Sequence, residues 1–357
     1  MCIRDRLYNS SLLFTPNEVL NNSGSFFKVY TPFWKNALNK LNLRDPLPVP
    51  KIKSIYERKI LSIKQSTVDK ESRIWEKKIL SHFKPGEVNA REILSQISTK
   101  LNGYSKNRDF PIQNNTSQLS PYLARGELSV NEIFFSVKRN KKKVDIDDYI
   151  KFTSQLGWRE FSYNILYNFP KLPNTNFISK FNNFPWLKNS KYLSSWKKGA
   201  TGYPIVDAGM RELRATGYMH NRLRMITASF LIKNLNISWV DGAKWFWDNL
   251  FDADIANNSS GWQWVAGCGT DAAPYFRIFN PTLQSVRFDK DGEYIRKWVP
   301  ELRDLPNKLI HSPWELTEME LLSFNIKLGK DYPYPIVDHK TTREEALINY
   351  KKMNLIK

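Results

Sequence analysis

Residues 252–264, DADIANNSSGWQW, set two aspartates, two adjacent asparagines and two tryptophans within thirteen positions. They follow an aromatic run, WVDGAKWFWDNLF, at 239–251. An interior filled for packing alone favours Leu, Ile and Val, and admits Trp where its N–H finds an acceptor. Carboxylates, amides and indoles together suit a pocket for a large, flat ligand with polar edges. A second cluster, HNRLRMITASF at 220–230, puts Arg224 four residues after His220 and three after Asn221, so these three share a helix face while Arg222 points elsewhere. A solvated basic face is the plain alternative. The apolar run after Arg224, however, carries this helix into the core, where a guanidinium wants a carboxylate, and Asp252 and Asp254 are candidates. A third cluster, NTSQLSPYL at 115–123, offers hydroxyls and backbone N–H groups at a helix start. Such a terminus binds phosphate, although Ser and Thr are also ordinary caps.

Other chemistries are missing. The four histidines, at 82, 220, 311 and 339, are scattered, and no His/Cys/Asp pattern has zinc spacing. There is no GxGxxG fingerprint, GxxxxGK[ST] loop or GxSxG elbow. Cys2 and Cys268 are the only cysteines, which gives no disulfide framework and fits a reducing cytoplasm. No apolar run approaches the roughly 18 residues of a membrane span. The start, MCIRDRLYNS, lacks a signal-peptide core, and residues 1–6 read as a translated scar outside the fold. The 54 Lys and Arg against 35 Asp and Glu give a net charge of +19. A field of that sign attracts polyanions, nucleic acid above all, unless it reflects a generally Lys-rich surface. The run KRNKKK at 138–143 reads as a solvated loop.

The elements that must position these clusters are helical. SLLFTPNEV suggests a short strand and TPFWKNALNKL a helix opening on Pro32; DPLPVPKIK at 45–53 is an extended connector. From about residue 85 the pattern is helical. Val88, Ile93, Leu94 and Ile97 mark one apolar face, two short helices split near Gly126, and a long amphipathic helix ends at Pro170. The next helix runs from Pro204 to Gly217, and another covers NRLRMITASFLIKNL. Ser238 and Asp241 form a capping-box-like pair before a further helix. The body is thus a mainly α domain.

Together the clusters resemble the DNA photolyase/cryptochrome family, and within it the class I cyclobutane pyrimidine dimer photolyases. The resemblance rests on TGYPIVDAGMRELRATGYMHNRLRMITASFL at 201–231, DADIANNSSGWQWVAGCGTDAAPYFRIFNP at 252–281, WREF at 158–161, and RDFP followed by TSQLS at 108–120. It implies an all-helical domain over 85–357 that binds FAD and DNA, a connector over 46–84, and at 7–45 a remnant of an α/β, Rossmann-like antenna domain. It implies that Tyr104, Thr116, Ser117, Gln118, Leu119 and Ser120 line the FAD phosphates and ribityl chain, with Arg159 nearby and Phe152 near the adenine. Asp252 and Asp254 would hold the isoalloxazine edge with Arg224 paired to Asp252, Asn258 would face the flavin N5, and Gly261 would allow close approach. Trp158 and Trp264 would wall the pocket for the flipped dimer. Met225 fits dimer specificity, Gln155 would meet the lesion, Asn221 and Arg222 would sit at the mouth, and Arg108, Gln284 and Arg287 would contact the DNA backbone. Excited, fully reduced FAD (FADH⁻) would pass an electron to the dimer and recover it, with Trp262, Trp239 and Trp186 forming the electron path that keeps the flavin reduced.

Two departures stand out. Gln155 occupies a place where these enzymes usually carry Glu, which predicts weaker repair, and Phe152 replaces a Trp. The α/β domain is nearly absent, which predicts that no folate or deazaflavin antenna chromophore is bound and that the helical face packing on that domain is exposed. The implied partner is damaged DNA, with no membrane and no obligate protein partner, for a cytoplasmic, nucleoid-associated monomer. A photosensory cryptochrome, a single-strand-selective photolyase and an inactive truncated fragment that binds DNA through charge alone are the competing readings.

Overall fold

A computed structural model describes residues 9–42, 51, 76–77, 79–113, 115–272 and 276–355. The suggested scar at 1–6, with Cys2, and the connector at 45–53 apart from residue 51 lie outside them. The α-helices of the described residues include α1 (Tyr30–Lys40), α2 (Glu87–Ser95), α3 (Ile97–Lys100), α4 (Tyr104–Asn107), α5 (Ser120–Arg125), α6 (Val130–Arg139) and α7 (Ile146–Asn168). They continue as α8 (Ser190–Lys198), α9 (Pro204–Thr216), α10 (Asn221–Ser229), α11 (Trp239–Asn249), α12 (Ile255–Ala266), α13 (Pro281–Phe288), α14 (Glu293–Trp298), α15 (Glu318–Ser323) and α16 (His339–Leu355).

Among the described residues there is no strand, only the isolated bridges Leu20 with Phe26 and Leu328 with Tyr332. The strand expected in SLLFTPNEV is therefore a 3₁₀ turn, Pro16–Glu18, closed by Thr15 and Glu18 in a capping box. Val88 also departs from its expected buried face: it is 81% exposed, and α2 buries Ala90 and Leu94 instead. The error is one of phase, since a nine-residue helix offers too few turns to fix its inward stripe. At α11 Ser238 caps through the Val240 N–H and not as a box with Asp241. The helix expected to open on Pro32 starts two residues earlier, at Tyr30, and the one expected over NRLRMITASFLIKNL is α-helical to Ser229 and continues as a π-helical turn, Phe230–Asn234. Two punctuation signals are met. Gly126 takes a φ of +74° between α5 and α6, and Pro204 opens α9.

The side chains pack into two cores. One gathers Phe14, Phe33, Trp34, Leu94, Ile133, Phe134 and Phe161, so residues 9–42 share a core with α2 to α7. The other gathers Trp196, Met210, Leu223, Phe230, Trp239, Phe246 and Trp262, from α8 to α12. α7 runs 23 residues and packs on α12, joining the two. α11 and α12 approach closely because Gly242 has no side chain: a Cβ there would lie 2.1 Å from the Trp262 ring. Gly242→Ala therefore overpacks this contact, at a cost of about 1–3 kcal/mol. A denaturant midpoint equal to that of the wild type would refute the close approach.

α7 also fastens the first core from behind the site. Glu160 accepts from the Leu13 N–H at 2.8 Å and the Phe14 N–H at 3.4 Å, while Arg159 Nη1 donates to Ser11 O at 2.7 Å. Burial pushes the Glu160 carboxyl up to about 7, against the opposing pull of Arg159 and the two backbone donors. The folded protein then keeps a proton that the unfolded chain sheds above its ordinary value of 4.5. Stability supplied by Glu160 is full below 4.5 and is lost as pH rises toward 7. Relative to Glu160→Gln, the wild type should lose on the order of 3 kcal/mol over that window. Paired denaturant titrations from pH 4.5 to 8 measure it, and a constant difference would refute the assignment.

Candidate active site

A cavity of about 620 Å³ opens where α4, the 116–120 loop, α5 and α7 meet α10 and α12. Its size suits a cofactor or a drug-sized ligand. At its back Arg224 Nη2 donates to both carboxylate oxygens of Asp252, at 3.0 and 2.9 Å, and Arg224 Nε donates to Met219 O at 2.7 Å. Ser120 Oγ donates to Asp252 Oδ2 at 2.7 Å. The Ser120 hydroxyl thus serves Asp252, and α5 starts without a side-chain cap. Burial works against the Arg224 cation, but the Asp252 charge and hydrogen bond outweigh it and hold the guanidinium above its ordinary value.

Asp254 does two things. As the N-cap of α12 it accepts from the Asn257 N–H at 2.8 Å, satisfying an orphan donor of the first turn. Its other oxygen accepts from Tyr163 OH at 2.5 Å. Burial, and then the Asp254 charge, raises the Tyr163 phenol, which stays protonated and donating. The carboxylate is thereby fixed at the cavity wall.

The surrounding residues fit FAD. Gly261 lines the cavity, and a Cβ built there meets nothing within 4 Å, so its backbone is open to a ligand. Ser260 Oγ, Arg108 Nη1 and Arg222 Nε are buried without a partner among the described residues, and all three residues line the cavity. Gln118 holds a φ of +56°, the left-handed region that a non-glycine residue occupies at a cost, as binding loops often do. Thr116, Ser117, Gln118, Leu119, Ser120, Tyr104, Phe152 and Arg159 all line the same space. A site of hydroxyls and backbone donors on one side, and a carboxylate–guanidinium pair on the other, offers partners for a phosphate chain and for a polar ring edge.

At the mouth, Trp158 is stacked on Tyr30, centroids 3.8 Å apart and planes 10° apart, and Tyr30 OH is tied to Ser154 O at 2.8 Å. Trp264 Nε1 donates to Asp271 O at 3.0 Å. Both indoles line the cavity, with Gln155, Met225 and Asn221. Arg222 Nη2 donates to Asp109 at 2.8 Å and lies over the Phe288 ring at 4.2 Å; Arg108 stands 3.7 Å from Asp109. His220 joins these two arginines' segments. Its Nδ1 accepts from the Arg222 N–H at 3.1 Å, which leaves Nε2–H to donate to Arg108 O at 2.8 Å. Burial drops its pKa to about 4, so it is neutral, as those two roles require.

Not every expected residue lies in this space. Asn258 lines a smaller adjoining cavity of about 150 Å³ together with Trp262, and its Nδ2 donates to Ala243 O at 3.0 Å. Gln284 and Arg287 lie on α13, outside the cavity, with Arg287 exposed and Phe288 of the same helix against Arg222. Trp262 and Trp239 are buried and Trp186 is half-buried. Trp186 is bracketed by Asn236, whose Nδ2 donates to Pro185 O at 2.9 Å and whose carbonyl accepts from the Leu187 N–H at 2.8 Å. Asp109, Lys151 and Tyr218 line the cavity but carried no sequence signal of their own; Asp109 was visible only as the neighbour of Arg108 in RDFP.

The model of the FAD binding domain of DNA photolyase matches residues 152–352. The deoxyribodipyrimidine photo-lyase of Agrobacterium fabrum is 44% identical over 97% of this chain and 73% of its own length, and that of Escherichia coli is 40% identical over 96% and 72%. A crystal structure described as a bacterial class III photolyase from Agrobacterium tumefaciens superposes with a TM-score of 0.86 at 44% identity, covering 97% of this chain and 72% of that one. A Synechocystis cryptochrome structure superposes with a TM-score of 0.81 at 33% identity, covering 96% and 72%. The all-helical fold and its cavity thus define a flavin-binding domain of the photolyase type. The chain belongs to the DNA photolyase/cryptochrome family. The narrower class I expectation gains no support, since the solved bacterial photolyase is described as class III.

Asp252→Ala strands Arg224 in the wall. With Arg224 a quarter exposed, the loss should be about 3 kcal/mol, the low end for a broken buried pair. Chemical denaturation of the flavin-free chain checks this, and a change below about 1 kcal/mol would show that water already serves Arg224.

Proposed function

We propose that this chain is a light-driven photolyase that splits cyclobutane pyrimidine dimers in DNA with reduced FAD. The observation that carries the reading is the joining, in one cavity, of a flavin-type cradle (Thr116 to Ser120, Arg224, Asp252, Asp254, Gly261) with an indole-walled mouth (Trp158, Trp264). The relatives named as deoxyribodipyrimidine photo-lyases support it. Residues 85–357 would be the catalytic body. The chain would act as a cytoplasmic, nucleoid-associated monomer without a protein partner, and nothing in this scheme needs an antenna chromophore. No helix of the described residues is long and apolar enough to cross a membrane.

Bound reduced FAD supplies, on absorbing blue light, the electron that opens the cyclobutane ring. The chain does the rest. Thr116, Ser117 and the 118–120 backbone would hold the phosphates and ribityl chain, with Tyr104, Phe152 and Arg159 around them. Asp252 and Asp254, each held by a fixed donor, would accept from the ring edge, and Asn258 would present its amide to N5. Trp158 and Trp264 would take the flipped dimer between apolar faces, with Met225 and Asn221 beside it. A damaged base pair costs less to extrude than an intact one. Arg108, Arg222, Gln284 and Arg287 would meet the phosphates flanking it. Trp262, Trp239 and Trp186 would refill the flavin with electrons from solution.

The direct test is blue-light repair of a thymine-dimer oligonucleotide by the chain with FAD and a reductant, against a dark control. Loss of the dimer only in light is expected. Flavin-bound protein that never repairs in light would move the reading to a sensory cryptochrome. Gln155 offers a donor where a carboxyl would add an acid proton, so Gln155→Glu should raise the yield per photon about twofold or more, a few tenths of a kcal/mol. An unchanged yield would remove Gln155 from the reaction. Trp262→Phe should abolish photoreduction of oxidised flavin yet leave repair by chemically reduced protein intact.

A further inference from the structure

We propose that Asn176 is a positioning residue of the tryptophan relay: it keeps the Trp239 indole proton in place when that ring gives up an electron, so that the electron vacancy passes on to Trp186. The inference rests on the relay reading above and goes beyond it in naming the residue that governs the middle step.

The geometry fixes the role. Trp239 is 1% exposed, and its Nε1 donates to Asn176 Oδ1 at 2.8 Å. An indole N–H is a donor only, so the oxygen of the amide must face it. The other end of the amide agrees, since Asn176 Nδ2 donates to Asn182 Oδ1 at 2.8 Å. Asn176 is itself half-buried, and its partner Asn182 is exposed.

The loop that carries Asn176 is held by the relay's own helix. Gln263, next to Trp262 on α12, is fully buried. Its Nε2 donates to Leu172 O at 2.7 Å and Thr175 O at 2.8 Å, and its Oε1 accepts from the Phe177 N–H at 2.8 Å. Three bonds from one side chain therefore set the position of residue 176 relative to Trp262. Gly242, three residues after Trp239, lets the Trp262 ring lie against α11.

The chemistry follows from the acceptor. An indole that loses one electron becomes a cation and a much stronger N–H acid. A carboxylate or water would take that proton and leave a neutral radical, which is a weaker oxidant than the cation and stops the vacancy there. An amide oxygen is too weak a base to take it. Trp239 therefore stays a protonated cation, and one electron from Trp186 restores the neutral, protonated indole. No proton leaves at the middle site, and the electron that left by way of Trp262 is replaced from the surface end.

Asn176→Asp supplies a base in the same shape at a half-buried position, and Asn176→Ala removes the acceptor. Flash spectroscopy of the flavin-loaded protein, in H₂O and D₂O, separates protonated from neutral tryptophan radicals. In the wild type the protonated radical should cross position 239 at the same rate in both solvents. In Asn176→Asp the neutral radical should form at 239, more slowly in D₂O, with loss of the long-lived radical on Trp186. Flavin-free protein labelled with ¹⁵N at its indoles gives a second readout. The Trp239 N–H, assigned with Trp239→Phe, should exchange slowly in the wild type and fast in Asn176→Ala. An aspartate variant that passes the protonated radical to Trp186 with the wild-type yield, or unchanged exchange in the alanine variant, overturns the proposal. If Trp239→Phe leaves photoreduction untouched, it is the relay reading that fails, and the proposal falls with it.

Discussion

The joint at Asp252 is the constraint on which the site depends. One carboxylate receives Arg224 from α10 and Ser120 from the start of α5. α5 belongs to the core that includes residues 9–42, and α10 to the core built around α9, α11 and α12. The pair therefore closes the cavity between two separately packed halves. A charge in that position is tolerated because each oxygen has a donor. The same donors hold Asp252 in the wall, out of the space a ligand needs, and leave it acceptor capacity on the cavity side.

Around this joint the fold lets single residues serve both structure and site. Asp254 caps α12 and presents its second oxygen, locked by Tyr163, to the cavity. His220 caps α10 with one ring nitrogen and fastens the Arg108 segment with the other, which a protonated ring would be unable to do. Burial keeps that ring neutral. Local caps of this kind are short-range and strong in sequence, and they place functional groups with little freedom left to lose on binding.

What was legible in the sequence follows this division. The pairing of Arg224 with Asp252 could be anticipated because an arginine heading an apolar helix needs an acid, and DADIANNSSGWQW supplied two. The bounds of α9 were written in Pro204 and Gly217. The apolar phase of α2 was not legible, because Val88 and Ala90 differ by long-range packing alone and nine residues average over too few turns. Nor was the role of Ser120, since a serine before a helix reads as a cap whether or not its hydroxyl leaves for a carboxylate 132 positions away. Asp109, Lys151 and Tyr218 enter the cavity wall only through tertiary approach.

The net charge of +19 and the cavity act at different ranges. On the proposed function the charge would draw in DNA without regard to sequence, an attraction that weakens with salt as any phosphate-directed binding does. It carries no information about damage. On the proposed function, discrimination would come from the mouth, where the Trp158 ring, stiffened by the Tyr30 stack behind it, would offer a flat wall that does not need to reorganise. Asp109 ties Arg222 directly and stands close to Arg108, which limits their reach and, on the proposed function, would direct them at phosphates next to that wall. A strongly basic protein that must ignore intact duplex would gain selectivity by restraining the cations nearest its pocket, because a tethered guanidinium is less able to follow an undamaged backbone.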